Sequence, residues 1–484
     1  MSSSVKIHHP EYDRVSSKWQ RCRDCIAGGD SVKAAGEKYL PRLKEQDETE
    51  YAAYKLRASY FNAVWRTVDA LKGLIFRKPP VVEAAKSLEP MLEDVTMGGI
   101  DFQIFAQQTA LEILTTGRMG ILVDFSSQST AGMTKADAEA LQIRPTMQRY
   151  SAESIINWKT ERINNATVVS MVVLKEDAAL PPDNEFEHKT ETRYRVLDLV
   201  RRKKVDKPGE GGGRVYRVRV FRIEEKSKEQ EQVGADLFPL MNNKPLPYIP
   251  FYFMGVDDAT PEIDEPPLID LVDLNLAHYR MDADYKHGLH YTGLPSLFVS
   301  GYTPEKPTDK LYIGSQTANC LPQPEAKAYF VEFTGQGLNG LREALEDMKQ
   351  EMAILGARLL TAEKKDSETS QTAQIHRAGE NSILSSIAQT ISIGLTKALN
   401  TFAEWAGSPG KWSVELNRDF LPVGMTPEEL TALLAGWQMG APGLSDEGLF
   451  NIFKDREMIH GDVTLEDEQA RIGSKKPPMP DGEE

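Results

Sequence analysis

The chain has 484 residues, with 57 Lys plus Arg against 72 Asp plus Glu and a formal net charge of −15. A protein built to grip nucleic acid through its phosphates needs excess cation for counterion release, so tight general DNA binding is not expected. An apolar share of 40% and a charged share of 27% are those of a folded, soluble protein, and the length suggests about three domains around a large core.

No run of 18 apolar residues occurs, and Met1 to Tyr12 is polar, so neither a membrane anchor nor an export signal is expected. Three cysteines, Cys22, Cys25 and Cys320, are too few for a disulfide framework and point to a reducing, cytosolic origin.

In chain order, Tyr51, Tyr54, Ala58, Phe61, Trp65, Val68, Leu71 and Ile75 recur at helical spacing and predict one helix, stopped at Pro79-Pro80. A second helix is predicted over Asp101 to Thr116, closed by Gly117 and followed by a strand from Gly120 to Phe125. From Arg144 to Phe253 the pattern is mostly strand, with segments Thr167 to Leu174, Tyr194 to Val200 and Val215 to Ile223. The last two flank Lys207 to Gly213, a hairpin tip by composition. Arg193 to Arg222 holds eleven basic and three acidic residues, 11 − 3 = +8, so the remainder carries −15 − 8 = −23.

Leu268 to Tyr291 predicts an amphipathic helix, with Leu271, Leu274, His278, Met281, Tyr285 and Leu289 as its apolar stripe and Asp270, Asp273, Arg280, Asp284 and His287 as its polar one. Leu294 to Phe333 reads as a compact block of short strands and turns, and Leu338 to Leu360 as another helix. Thr361 to Ser370 lacks apolar spacing and reads as a solvated loop. Gln371 to Trp405 predicts a helix on the order of 50 Å long. Its far face, Gln374, Arg377, Asn381, Ser385, Ser392, Thr396 and Asn400, has no charge between Glu380 and Lys397, which suggests packing against other protein, including further copies of the chain. Gly379 and Gly394 are candidate bending points. Trp412 to Phe420 is predicted as a strand, Thr426-Pro427 as a helix start, Pro427 to Arg471 as short helices, and Lys475 to Glu484 as disordered.

The search for chemistry finds no phosphate-binding loop, no dinucleotide fingerprint and no nucleophile elbow, so no enzyme, cofactor or resident metal is expected. Cys22 and Cys25 with His8 and His9 superficially offer zinc ligands, but no second ligand pair follows, and two cysteines in a packed helix face is the simpler reading. His278, Asp282, His287 and His290 form either a buried histidine cluster or a metal group. The hairpin arginines Arg193, Arg195, Arg214, Arg217 and Arg219 form either a nucleic-acid ribbon or a charged edge that blocks strand addition. Alternation puts Arg217 and Arg219 on the face opposite Tyr216, Val218 and Val220.

Several segments, in order, resemble the portal proteins of tailed bacteriophages: Gly36 to Pro41, Arg57 to Asn62, Gly73 to Pro80, Ser154 to Trp158, Asp273 to Arg280 and Leu355 to Leu360. The resemblance implies an α+β, portal-like protomer. Residues 1–262 would form a mixed wing domain carrying the basic hairpin, 263–291 the first stem helix, 292–337 a small α/β clip, and 338–360 the second stem helix. Residues 361–370 would form a tunnel loop, 371–405 the long tunnel helix, and 406–484 a strand, crown helices and a disordered tail. The resemblance further implies a homo-oligomeric ring, typically of twelve subunits, at one capsid vertex of a virion assembled in the host cytoplasm. Non-specific double-stranded DNA would pass through it, and its partners would be large terminase, a head-tail adaptor, capsid and scaffold proteins, with no membrane. Glu363, Lys364, Lys365, Asp366 and Glu368 would then face DNA, and Tyr302, Glu305, Lys306, Asp309 and Lys310 would meet partners at the clip. An acidic overall field suits a conduit in which DNA must slide. The alternatives are a metal-dependent nucleic-acid-processing enzyme using His278, Asp282 and His287, or another phage connector subunit.

Overall fold

The computed structural model describes residues 4–125, 141–163, 165–181, 184–201, 213–223, 229–293, 296–301, 324–331, 335–358, 382–420, 427–439, 445–455, 459 and 463–474. The fold is α+β, in two compact units: residues 1–359 with 386–417, and residues 360–385 with 418–484.

The first unit begins with α1 (Pro10–Ala27) and α2 (Gly29–Ala34). Proline at the first position of α1 costs no helical donor, and His9 caps it by accepting the Glu11 N–H. Val15, Trp19, Cys22 and Cys25 are its buried face. The single helix predicted over Tyr51 to Ile75 is two: α3 (Glu48–Arg57), started by an Asp47–Glu50 capping box, and α4 (Ala63–Ile75), started by Asn62 accepting the Trp65 N–H. The periodicity continues through the break because both helices bury the same kind of face, with Val64, Val68, Leu71 and Ile75 at 2% exposure or less in α4. Each such burial is worth roughly 1.5–3 kcal/mol against an exposed side chain.

After β1 (Val81–Glu83) and the short α5 (Glu89–Leu92), α6 (Phe102–Thr116) runs from an Asp101 cap to Gly117, as predicted. Gly117 has φ 73°, and a Cβ there would lie 2.8 Å from the Glu265 carbonyl oxygen, so only glycine fits. The chain then enters β2 (Arg118–Phe125), β3 (Pro145–Ser151), β4 (Ile155–Ile163), β5 (Ala166–Leu180), β6 (Lys189–Arg201), β7 (Arg214–Ile223), β8 (Gln230–Gln232), the paired β9 (Leu240–Met241) and β10 (Lys244–Pro245), and β11 (Phe251–Gly255). Two antiparallel sheets result, ordered β11-β2-β3 and β4-β5-β6-β7-β8. The predicted strands and the β6–β7 hairpin are present, and residues 202–212 of its tip lie outside the described residues.

The helices α7 (Ile269–Thr292) and α8 (Gln336–Arg358) follow, with β12 (Ser296–Ser300) and β13 (Lys327–Val331) paired between them as a two-stranded ribbon. The long helix is described from Ile383 to Trp405, as α9, with Ile387, Ile391, Leu395, Ala398 and Phe402 fully buried. Residues 371–381, Gly379 among them, lie outside the described residues.

Ser392, Thr396 and Asn400 of the uncharged face of α9 are covered by the chain's own next segment, and Gln374, Arg377 and Asn381 lie outside the described residues. Of the strand predicted over Trp412 to Phe420, only β14 (Ser413–Glu415) forms, antiparallel to β1. Its other edge is bonded by side chains of α9: Asn400 accepts the Trp412 N–H at 3.0 Å, Thr396 the Val414 N–H at 3.0 Å and Ser392 the Leu416 N–H at 3.0 Å. Four helical residues rise about 6 Å and two strand residues about 6.6 Å, so side chains spaced i, i+4, i+8 reach alternate backbone groups of a strand running the other way. Charged side chains could not sit in this contact without losing hydration, and the pattern of short polar residues follows. Gly394 is a close approach, because a Cβ there would overlap Met254.

In the second unit the predicted short helices are α10 (Pro427–Gln438), α11 (Asp446–Asp455) and α12 (Leu465–Ser474). Trp437 donates to Asp446 at 2.9 Å, and Thr464 accepts the Asp467 N–H at 3.1 Å. Thr426 and residues 475–484 lie outside the described residues.

Candidate functional site

The α7–α8 pair is the first candidate element, and its position is set by two polar side chains inside the apolar face of α7. The stripe predicted from Leu271, Leu274, His278, Met281, Tyr285 and Leu289 is rotated from the one observed. Leu271 and His278 of that stripe are buried, as are Leu268, Val272, Asn275, Leu276, Tyr279, Asp282 and Ala283, while Leu289 is exposed. Asn275, with no exposed surface, accepts the Ala63 N–H at 3.2 Å and the Tyr60 hydroxyl at 3.1 Å and donates to the Phe61 carbonyl at 2.8 Å. Asp282, seven residues on, accepts the Ser59 N–H at 2.7 Å and pairs with Lys286 at 3.2 Å. The two therefore bond backbone groups that the α3–α4 break leaves outside a helix, and fix the register of α7 against it.

The residues that could have held a metal are not gathered for it. Asp282 is committed to Ser59 and Lys286. Both ring nitrogens of His278 lack a hydrogen-bond partner among the described residues, and its ring lies 6.0 Å from that of Phe61. Burial lowers the His278 pKa, and the Lys349 and Lys286 charges add to this while Asp282 opposes it. His287 has its Nδ1 3.2 Å from the Arg57 guanidinium and its ring edge-on to Tyr54, and His290 packs on Tyr291. No group of three or more potential metal ligands occurs among the described residues. Cys22 and Cys25 are likewise apart from His8 and His9, which face Asp13 and Trp158, and burial pushes both thiols up to about 12.

The basic hairpin is the second candidate, and each of its five candidate arginines is already paired. Arg193 meets Glu191 at 3.0 Å, and Arg195 meets Asp124 at 3.0 Å and Glu176 at 2.8 Å. Arg214 meets Glu161 at 2.5 Å. Arg217 and Arg219 both reach Asp198 at 2.7 Å, and Arg217 also reaches Asp236 at 2.9 Å. The register explains the sharing, since Arg217 lies directly opposite Asp198 and Arg219 lies on the diagonal. Tyr216 and Val218 turn to the buried face, as the alternation predicts. Among the described residues these arginines are thus offset by acids, while Arg202, Lys203, Lys204 and Lys207 lie outside the described residues.

The ribbon between α7 and α8 presents the Phe298 and Tyr329 rings stacked across its strands, 6.4 Å apart and about half exposed. The clip candidates Tyr302, Glu305, Lys306, Asp309 and Lys310, and the loop candidates Glu363, Lys364, Lys365, Asp366 and Glu368, lie outside the described residues. No helix among the described residues is long and apolar enough to cross a membrane.

Sequence reasoning missed Asn275 and singled out Asp282 only as a possible metal ligand. Their signal is the seven-residue spacing that puts both on the row of Leu268, Tyr279 and Ala283, where two short polar residues break an apolar face. It missed Arg118 as well, a buried guanidinium opening a strand, for which no periodicity gives a sign.

The family described as "Domain of unknown function (DUF4055)" matches residues 267–406, a span that begins at α7 and ends just after α9. No curated protein matches the chain. Among solved structures, it is similar to a chain in the neck of an empty gene transfer agent (GTA) particle computed with C6 symmetry. The identity is 12% and the TM-score 0.37, over 80% of this chain and 87% of the other. A chain in the virion of a native gene transfer agent particle gives 11% identity and a TM-score of 0.37, over 86% and 96%. These scores are too low to establish a shared fold.

Proposed function

We propose that the chain is the portal subunit of a tailed phage or phage-like particle, a ring-forming structural protein through which double-stranded DNA enters and leaves the capsid. The observation that carries this reading is the excursion from α7 through the β12–β13 ribbon and back along α8, followed after residues 359–381 by the buried α9. Each stem helix is about 35 Å long, and the order is that of stem, clip, stem, tunnel loop and long helix in the family the sequence resembles. In this reading Tyr302, Glu305, Lys306, Asp309 and Lys310 belong to a clip that docks terminase and later an adaptor. Glu363, Lys364, Lys365, Asp366 and Glu368 form a loop of mixed charge that touches passing DNA without holding it.

The net charge of −15 and the paired arginines of the β6–β7 hairpin support a conduit over a grip, because a channel must let phosphates slide. Packaging energy would come from a partner ATPase, in keeping with a sequence that has no phosphate-binding loop. Deleting residues 361–370 tests the reading against that of a connector without a tunnel loop: a portal still assembles but fails to package DNA, whereas a connector packages normally.

A further inference from the structure

The segment from Ser4 to His9 lies along the five-stranded sheet and is held at a few points. The Val5 N–H donates to Gln230 at 2.9 Å, Asn157 donates to the Ile7 carbonyl at 2.7 Å, and the His9 N–H donates to the Ile156 carbonyl at 2.9 Å. Val5 and Tyr12 pack on the cluster of Ile156, Val173, Tyr194, Val196 and Phe221. At the end of this strap His9 does two things, the first of which requires a neutral ring. Its Nδ1 accepts the Glu11 N–H at 3.3 Å as the cap of α1, which a protonated nitrogen cannot do. Its ring also stacks on Trp158, centroids 4.0 Å apart and planes at 18°.

The Arg118 guanidinium lies 4.0 Å from the centroid of the same indole, and one face cannot hold both groups at that distance, so Trp158 is sandwiched between them. Arg118 is 1% exposed and donates to the Pro261 carbonyl at 2.8 Å, while its Nε and Nη2 find no partner among the described residues. A poorly compensated buried cation on one side of the ring, and the positive end of a helix dipole on the other, leave no place for a second positive charge.

We infer that the Ser4–His9 strap is a proton-operated latch, docked while His9 is neutral and released from the sheet and from the cap of α1 when His9 is protonated. Release would uncover the Ile156 backbone edge and the apolar cluster beneath Val5, a surface suited to a strand or an arm of another chain. The charges facing the imidazole are Arg118 from β2 and Glu11 from α1. Burial, then Arg118, lower its pKa, and Glu11 opposes them without reversing the sign. His8 is turned away from the sheet to Asp13, 2.8 Å off. Because docking depresses the imidazole, docking is strongest above about 6.5, the free value, and weakens as pH falls through it, by about tenfold for each unit of depression.

The latch does not depend on the portal reading, and hydrogen exchange of the full chain at pH 7.5 and 5.5, corrected for intrinsic rates, tests it. Amides from Val5 to Asp13 should lose protection at pH 5.5 while α4 keeps its own. His9→Asn, which caps a helix without titrating, should keep the segment protected at both values. Arg118→Met, which removes the facing charge, should shrink the pH response, and it decides the matter alone if His9→Asn fails to dock at pH 7.5. Equal protection of the wild-type segment at both values, or an undiminished response in Arg118→Met, overturns the proposal.

Discussion

Asn275→Ala removes the side chain that ties α7 to the α3–α4 break. The variant removes the 3.4 Å acceptor of the Val64 N–H and one of the two bonds each of the Phe61 carbonyl and the Ala63 N–H, which keep their mutual bond at 2.8 Å, while the Tyr60 hydroxyl keeps its 3.1 Å bond to the Cys25 carbonyl. One stranded buried N–H at about 1–3 kcal/mol gives an expected loss of about 2 kcal/mol. Asn275→Leu does no better, because the stranded group belongs to the backbone and an apolar side chain cannot satisfy it. Local opening then becomes more frequent by about thirtyfold, read as faster hydrogen exchange of the first turns of α4. Asp273→Ala on the same helix, which breaks only a half-exposed pair with Arg21, is the control and should cost under about 0.5 kcal/mol. Exchange in α4 that changes less than threefold in Asn275→Ala, or equally in the control, would refute the idea that α7 holds the break.

Asn400→Ala loses the bonds to the Trp412 N–H and carbonyl and to the Thr396 carbonyl, so about 2 kcal/mol of the clasp on β14 disappears. Faster proteolysis between Ala406 and Trp412 is the readout, and an unchanged rate counts against the helix-to-strand ladder. Gly120→Ala drives a methyl into the Phe251 ring and should lower stability by about 1–3 kcal/mol in thermal melts. Burial holds the His278 pKa low, so the stability tied to its neutral form is complete above about 6.5 and declines as pH falls. His278→Phe should narrow the melting difference between pH 7.5 and 5.5, and an unchanged difference would remove His278 from the account. The double variant Arg217→Gln, Arg219→Gln leaves Asp198 unpaired and costs about 1–2 kcal/mol at this partly exposed site. The salt slope of any DNA binding should not move, whereas a slope reduced by one or two would mean that these arginines do touch phosphates.

What the sequence made legible follows from where period and side-chain chemistry agree. In α6, the Asp101 cap, the apolar rows and Gly117 all mark the same helix, and the β6–β7 hairpin alternates cleanly because its two faces differ in burial. The α3–α4 break is hidden from the sequence because partners of its backbone groups, Asn275 and Asp282, lie more than two hundred residues away, while the local pattern runs on through it. Those same two polar residues sit in the middle of the buried face of α7 and blur the contrast that periodicity depends on, so the stripe was read one step round the helix. The absence of charge on the described part of the α9 face marks it as covered, but spacing alone does not name Trp412 to Leu416 as the segment that covers Ser392, Thr396 and Asn400. The hairpin arginines read as available charge because their partners Asp124, Glu161, Glu176 and Asp236 come from other strands and loops.

The central claim is that copies of this chain close into a ring around a channel. Negative-stain imaging of the purified full chain, with the mass of the particles measured in parallel, tests it without any prior assumption of symmetry. The account predicts closed rings of about twelve subunits of 54.1 kDa each, with a central hole wide enough for duplex DNA. A uniform monomer or dimer at every concentration, with no rings in any field, would contradict it.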